Sequence, residues 1–226
     1  MIKSYHLPAI LFFLLTTSTL LIAQKSVYTF PFENSYKLPS METFIKADEI
    51  SATYQTIGNF YTTEITGLGE ETMEQTSSTY ISDVKAMDAF RFLQFYMEDQ
   101  LIAPGDQTKG AVEMSVIYYN VKHRVNLGTA INVLTLGIGG LLGIPYSTAI
   151  TDVEVEATFF DKNNQLVTVH RGVGRGKMLE SLYNLTSSGR IPHQKALRRA
   201  LTDLNEKIMA DPKLYKLTPP SAVPEP

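Results

Sequence analysis

The sequence predicts an α+β fold: an antiparallel sheet packed by helices on one side, with an apolar, Gly-rich insertion between two strands. Three observations carry this. Residues 151–172, TDVEVEATFFDKNNQLVTVHRG, alternate apolar and polar side chains on both sides of an Asp-Lys-Asn-Asn turn, the pattern of a half-buried hairpin. Residues 191–209, IPHQKALRRALTDLNEKIM, repeat leucine at helical spacing. Residues 131–150, INVLTLGIGGLLGIPYSTAI, interrupt the strands within an uncharged run from Val125 to Thr151.

The first 24 residues have the layout of a secretory signal peptide. Lys3 precedes an apolar run from Leu7 to Ala23, and cleavage is expected close to Ala23 or Gln24. The rival reading is an uncleaved anchor helix. Residues 25–80 form an extended and strand-rich amino-terminal region. In it SVYTFPFENSYKLPSM is extended chain, and ADEISATYQTIGNFYTTEITGLGEE, rich in Thr, Tyr and Ile, favours strands or a hairpin.

The core domain is expected over residues 81–210. SDVKAMDAFRFLQFYMEDQL is a helix with Ser82 or Asp83 as its N-cap and Val84, Met87, Phe90, Leu93, Met97 and Leu101 on its buried stripe. AVEMSVIYYNVKHRV is a strand by composition. In the hairpin after the insertion, closure of the turn by Phe160 and Gln165 would set Glu154 opposite Arg171. The glycines of RGVGRGKM mark a strand end with permissive turns. They do not form a phosphate loop, because the G-x-x-x-x-G-K-[ST] spacing and a βαβ context are missing. The final helix carries Pro192 near its first turn and ends before Asp211-Pro212, and residues 211–226 form a flexible Pro-rich tail.

Composition narrows function more than any motif does. The chain has 226 residues, 44% of them hydrophobic, with no Trp, no Cys and a formal net charge of −3. That charge gives no basic footprint for nucleic acid. Lacking cysteine, the chain has no thiol nucleophile, thiolate metal site or acylated anchor, and its stability must come from burial. His123 and His170 lie on strands and could approach one another, but with His193 they show no metal-ligand spacing. Asp152, Glu154 and Glu156 share one strand face, the ordinary arrangement of a solvated side. No catalytic residue, cofactor site or metal site is expected.

The strand before the Gly-rich insertion, the hairpin 151–172 and the closing helix ALRRALTDLNEKI together resemble the small α+β domains of Gram-negative cell-envelope accessory proteins. These are the domains of curli-secretion lipoproteins, of the amino-terminal part of the Tol–Pal translocation protein and of auxiliary lipoproteins of lipid-transport systems. The resemblance covers Ala111 to Met209 and is architectural. This chain departs from those proteins in having no cysteine to carry a lipid.

The resemblance implies an exported protein of the periplasm or outer-membrane periphery. On this reading it is non-catalytic and contacts an envelope protein or membrane surface through residues 127–150. The docking side chains would be Leu134, Leu136, Ile138, Leu141, Leu142 and Ile144. Two alternatives stay open. One is an integral membrane protein with spans near 7–23 and 129–149; its second span would place Lys122-His123-Arg124 outside, against the positive-inside rule. The other is a hydrolase or metal-dependent enzyme without a recognisable motif. Oligomeric state is not legible.

Overall fold

A computed structural model of the chain describes residues 29–57, 61–65, 79–184 and 189–215. The expected leader, the span proposed over 7–23 and the end of the Pro-rich tail lie outside these residues. Residues 1–31 and 32–226 form two units, and among the described residues every helix and strand belongs to the second.

Three long strands make the sheet: β3 (Gly110–Val125), β4 (Ser147–Asp161) and β5 (Leu166–Glu180), antiparallel in that order. Two short strands, β1 (Glu42–Ile45) and β2 (Tyr61–Ile65), lie end to end along the outer edge of β3. Both pair with it in parallel, so the sheet is mostly but not wholly antiparallel. Between them lies α1 (Ala47–Ile57), a helix where the Thr-, Tyr- and Ile-rich composition favoured a strand. Tertiary burial overrides propensity here. Ile50 and Tyr54, one helical turn apart, are both fully buried, and Asp48 and Glu49 sit in the first turn, where the helix dipole favours them.

The helix expected over 82–101 is present but longer. α2 runs from Thr79 to Phe95 and continues as a single π-helical turn, Tyr96–Leu101. Ser82 and Asp83 therefore lie inside it and cannot be its N-cap. Its buried face is also rotated from the expected stripe. Ala89, Phe92, Leu93, Tyr96 and Met97 are buried, while Val84 and Met87 are exposed. Met87 instead lines an apolar cleft of about 340 Å³ between α1 and α2, with Ile50 and Phe90.

One face of the sheet is covered by helices. On β4 the buried residues are Ser147, Ala149, Thr151, Val153, Val155, Ala157 and Phe159, alternating with half-exposed Thr148, Ile150, Asp152, Glu154, Glu156 and Thr158. On β3 a bulge between Val116 and Tyr118 resets the alternation. The inward positions are even-numbered through Val112, Met114 and Val116, and odd-numbered at Tyr119 and Val121.

The long helix α5 (Arg190–Met209) buries Leu197, Leu201, Leu204 and Ile208, as its leucine spacing predicts. A short helix, α6 (Pro212–Tyr215), comes after it. The glycines of RGVGRGKM are not turns. β5 runs straight through them, and Gly172, Gly174 and Gly176 are alternate residues on the face beneath α5. A Cβ at these positions would stand 2.1 Å from the Ala200 carbonyl oxygen, 2.0 Å from that of Ala196 and 1.7 Å from that of Pro192. Two strand residues advance about 6.7 Å and four helical residues about 6 Å, so the two rows stay matched along their length.

The close approach also brings α5 side chains over the outer edge of β5. Arg199 donates to the Arg175 carbonyl at 2.6 Å, Asp203 accepts from the Val173 amide at 2.8 Å, and Lys207 donates to the Arg171 carbonyl at 2.7 Å. Edge groups that would otherwise template another strand are thus occupied from within the chain.

The hairpin register differs from the expected one by two residues. The turn is five residues long, closed by the Asp161 amide on the Gln165 carbonyl, with an irregularity between Phe159 and Phe160. Arg171 consequently faces Glu156, with which it pairs at 2.7 Å, and Glu154 faces Val173.

Candidate docking surface

Residues 126–146 leave the end of β3 and return to the start of β4. Val125 and Ser147 are register partners, and the Asn126 amide donates to the Tyr146 carbonyl at 3.2 Å. The segment's two ends are therefore neighbours on one side of the sheet, and residues 147–149 belong to β4 itself. A span over 129–149 is not formed. Among the described residues no helix is long and apolar enough to cross a membrane.

The segment folds into a lobe of two short helices, α3 (Leu127–Leu134) and α4 (Ile138–Leu141). Asn126 caps α3, its side-chain oxygen accepting from the Gly128 amide at 2.9 Å. The reversal between the helices uses two consecutive left-handed residues, Leu136 (φ 50°) and Gly137 (φ 89°). Glycine takes that conformation freely, whereas leucine does so at a cost. The strained leucine is also the most exposed large side chain of the lobe, at 94%.

Fixed contacts close the lobe at its base and tie it to the chain beyond β5. The Tyr183 hydroxyl, beyond the end of β5, donates to the Leu141 carbonyl, and the Thr129 hydroxyl donates to the Tyr146 carbonyl. Beneath, one oxygen of buried Glu180 accepts from the Ser147 hydroxyl and lies 2.9 Å from His123 Nδ1. Burial, with the Glu180 charge nearby, raises the Tyr146 phenol above its ordinary range.

The structure places Leu134, Leu136, Ile138, Leu141 and Leu142 on the lobe's outer surface, all exposed, and Ile144 half-buried at its base. Leu127, Val133 and Tyr183, which the sequence pattern does not single out, are exposed on the same lobe or against it. The pattern is unlike a surface helix, whose apolar stripe turns inward. Here the residues turned inward are mostly small, Gly128, Gly139 and Gly140 among them, and the large ones point out.

The other candidates do not assemble into a site. His123 pairs with Glu180, whereas His170 sits eight register positions away along β4 and pairs with Asp211 at 2.8 Å, so the two do not meet. Of the three acidic residues that share one face of β4, Asp152 is bound by Arg175 and Glu156 by Arg171. Among the described residues no group of three His, Asp or Glu side chains converges as metal ligands.

The densest polar cluster is one the sequence does not signal plainly. Under α1, α2 and α5 the Tyr54 hydroxyl and His193 Nε2 lie 2.6 Å apart, and the Lys85 amine donates to the Tyr119 hydroxyl at 2.6 Å. Asp88 accepts two hydrogen bonds from Arg190 at 2.7 and 2.8 Å and one from Gln194 at 3.2 Å. Burial pushes Lys85 down to about 8; burial and the neighbouring Lys85 charge push His193 down to about 3. A signal does exist. The stripe 89-92-93-96 extended backward falls on Asp88 and Lys85, a charged pair on a buried face. Lys85, Asp88 and His193 are buried, Arg190 reaches the cluster from the surface, and together they tie three helices to β3.

No family model matches the chain, and no curated protein matches it. Among solved structures it is similar to a Xanthomonas campestris protein of the DUF330 family, at 8% identity and a TM-score of 0.37, covering 78% of this chain and 89% of that one. It is also similar to a minor lipoprotein from Acinetobacter baumannii, at 11% identity and a TM-score of 0.31, covering 80% of this chain and 93% of that one. Likenesses this slight decide neither fold nor function.

Proposed function

We propose that the chain is an exported, non-catalytic cell-envelope protein that attaches to an apolar partner surface through the lobe 126–146. The leader-like amino terminus supports export. One observation carries the attachment: an uncharged lobe turns seven large aliphatic side chains to the outside while internal hydrogen bonds and small residues hold its backbone. A free-standing protein gains nothing from such a patch, and large exposed patches mark interaction sites. Covering five of these side chains at about 2 kcal/mol each yields roughly 10 kcal/mol before association costs, enough for a stable attachment.

Membrane fractionation of the exported chain tests this, with the mature amino terminus sequenced so that a retained leader is recognised. Leu136→Asp combined with Leu142→Asp should move the protein from the membrane pellet to the supernatant. Both side chains are already exposed, so the unfolding midpoint should hold within about 0.5 kcal/mol. Retention of the double variant in the pellet refutes attachment through the lobe.

A further inference from the structure

We infer that α1 is a latch released by mild acid. When His193 takes up a proton, α1 and the short strands β1 and β2 come away from the edge of β3, while β3, β4, β5 and α5 stay closed.

His193 joins the latch to the rest of the fold. Tyr54 of α1 is fully buried, with its ring on Tyr119 of β3 and its hydroxyl 2.6 Å from His193 Nε2. Burial keeps that phenol protonated, and among the described residues its oxygen has no second partner. Its O–H is therefore satisfied only by donating to Nε2, which requires the neutral ring. An imidazolium has no lone pair to offer, so protonation strips a buried donor of its acceptor.

The surroundings do not offset the new charge. Facing His193 are Tyr54 from α1, Lys85 and Asp88 from α2, Tyr119 from β3 and Arg190 from its own helix. Lys85 and Arg190 are themselves cations. The Asp88 carboxylate already accepts two bonds from Arg190 and one from Gln194. Beside Pro192, β4 and β5 present Thr151 and Gly176, neither of which is charged. The other ring nitrogen, Nδ1, is buried without a hydrogen-bond partner among the described residues. Burial first, then the Lys85 charge, keep His193 near 3 in the closed fold. With α1 away the ring meets water and returns to about 6.5. The open form therefore binds the proton first, so the closed form is fully favoured above that value and loses ground below it.

The element that yields is α1 because it is the least held. Of its described side chains only Ile50 and Tyr54 are buried, against nine on α5, whose backbone also sits directly on the β5 glycines. On its α2 side, the apolar cleft lined by Ala47, Ile50 and Ser51 takes the place of part of the packing. The strands at its two ends are four and five residues long. β1 pairs with β3 as far as Met114 and β2 from Val121 onward. Among the described residues the stretch 115–120 thus has no strand on that edge, and the Tyr54–Tyr119 contact sets α1 beside it. Release of α1 opens this edge, whereas the sheet beyond it keeps every one of its antiparallel pairings.

Amide hydrogen exchange of the full chain, read by mass spectrometry at pH 7.5 and 5.5 and divided by the intrinsic rate at each pH, tests this. The opening constant of residues 47–57 should rise about tenfold at pH 5.5. At both pH values it should exceed, by about tenfold or more, that of residues 149–159 and 196–208, which open only with the whole domain. His193→Gln should cancel the pH dependence at 47–57. Tyr54→Phe keeps the ring on Tyr119 but removes the hydroxyl, so it should raise the opening constant already at pH 7.5; this variant and the parent decide the matter if His193→Gln does not fold. A parent opening constant that ignores pH, or one that equals that of 149–159 and 196–208 at both values, overturns the inference. So does a dependence that survives in His193→Gln, which would assign it to His123 or His170, or a Tyr54→Phe latch as closed as the parent's.

Discussion

Replacing Gly174 by alanine tests the helix-on-strand contact at its centre. An added Cβ would lie 2.0 Å from the Ala196 carbonyl oxygen and 2.4 Å from the Ala200 amide nitrogen. Both obstacles are backbone, so no side-chain rotation or trimming relieves them, and α5 must lift by roughly 1 Å to reach normal contact. A gap of that size forfeits a quarter to a half of each dispersion contact it opens. The contacts at stake are those of Ala196, Leu197, Ala200, Leu201 and Leu204, all fully buried. Overpacking costs about 1–3 kcal/mol in ordinary cores, and a shift shared by a whole helix belongs at or above the top of that range, about 3 kcal/mol. For a chain of this size that lowers the melting temperature by about 6–12 °C. Gly189→Ala is the control, because its Cβ would find nothing nearer than Lys85 at 3.7 Å. It should be neutral, or stabilising by up to about 1 kcal/mol through the unfolded chain. Urea unfolding monitored by circular dichroism measures both. A loss below about 1 kcal/mol for Gly174→Ala would refute the close packing of α5 on β5.

Other regions of the structure give further expected outcomes. Replacing Arg199, Asp203 and Lys207 together by alanine exposes the β5 edge, and light scattering should show self-association above that of the parent; an unchanged mass counts against the edge-capping role. A double-mutant cycle on Glu156 and Arg171 should give a coupling of about 0.2–1 kcal/mol, and one on Glu154 and Arg171 none, with the reverse result favouring the shorter turn. His193, held near 3 against an ordinary 6.5 and facing Lys85, Asp88, Arg190, Tyr54 and Tyr119, binds its proton in the unfolded chain first. Stability should therefore fall as pH drops below about 6.5, by about 1–1.5 kcal/mol at pH 5.5, above the range where ordinary carboxylates protonate. Urea midpoints across that window read the slope. A parent curve that stays flat, or an equal slope in His193→Gln, would show that this imidazole is not the cause.

The elements legible in the sequence are those whose burial keeps one period. The final helix and the β4–β5 hairpin repeat at 3.6 and 2 residues, and they stand where those periods put them. Errors arise where a distant partner decides. Ala47–Ile57 has a strand-like composition and is helical because Tyr54 packs on Tyr119, with ring centroids 4.4 Å apart. The parallel pairing of β1 and β2 is set by a strand more than forty residues later. Gly172, Gly174 and Gly176 suggest turns because glycine usually marks them, although a spacing of two is itself a strand signal. For the lobe, the apolar run is plain in the sequence. The outward direction of its side chains is not, since it depends on the left-handed reversal at Leu136 and Gly137.

The placement of β1 and β2 also bears on when the fold can form. Among the described residues each has β3 as its sole strand partner, so a chain delivered from its amino terminus presents two unpaired strands and α1 before residues 110–125 have appeared. By contrast β3, β4, β5 and α5 succeed one another without interruption from another part of the sheet and can close as a unit. The topology thus lets the second half close without the first, whereas β1 and β2 need its edge before they can join the sheet.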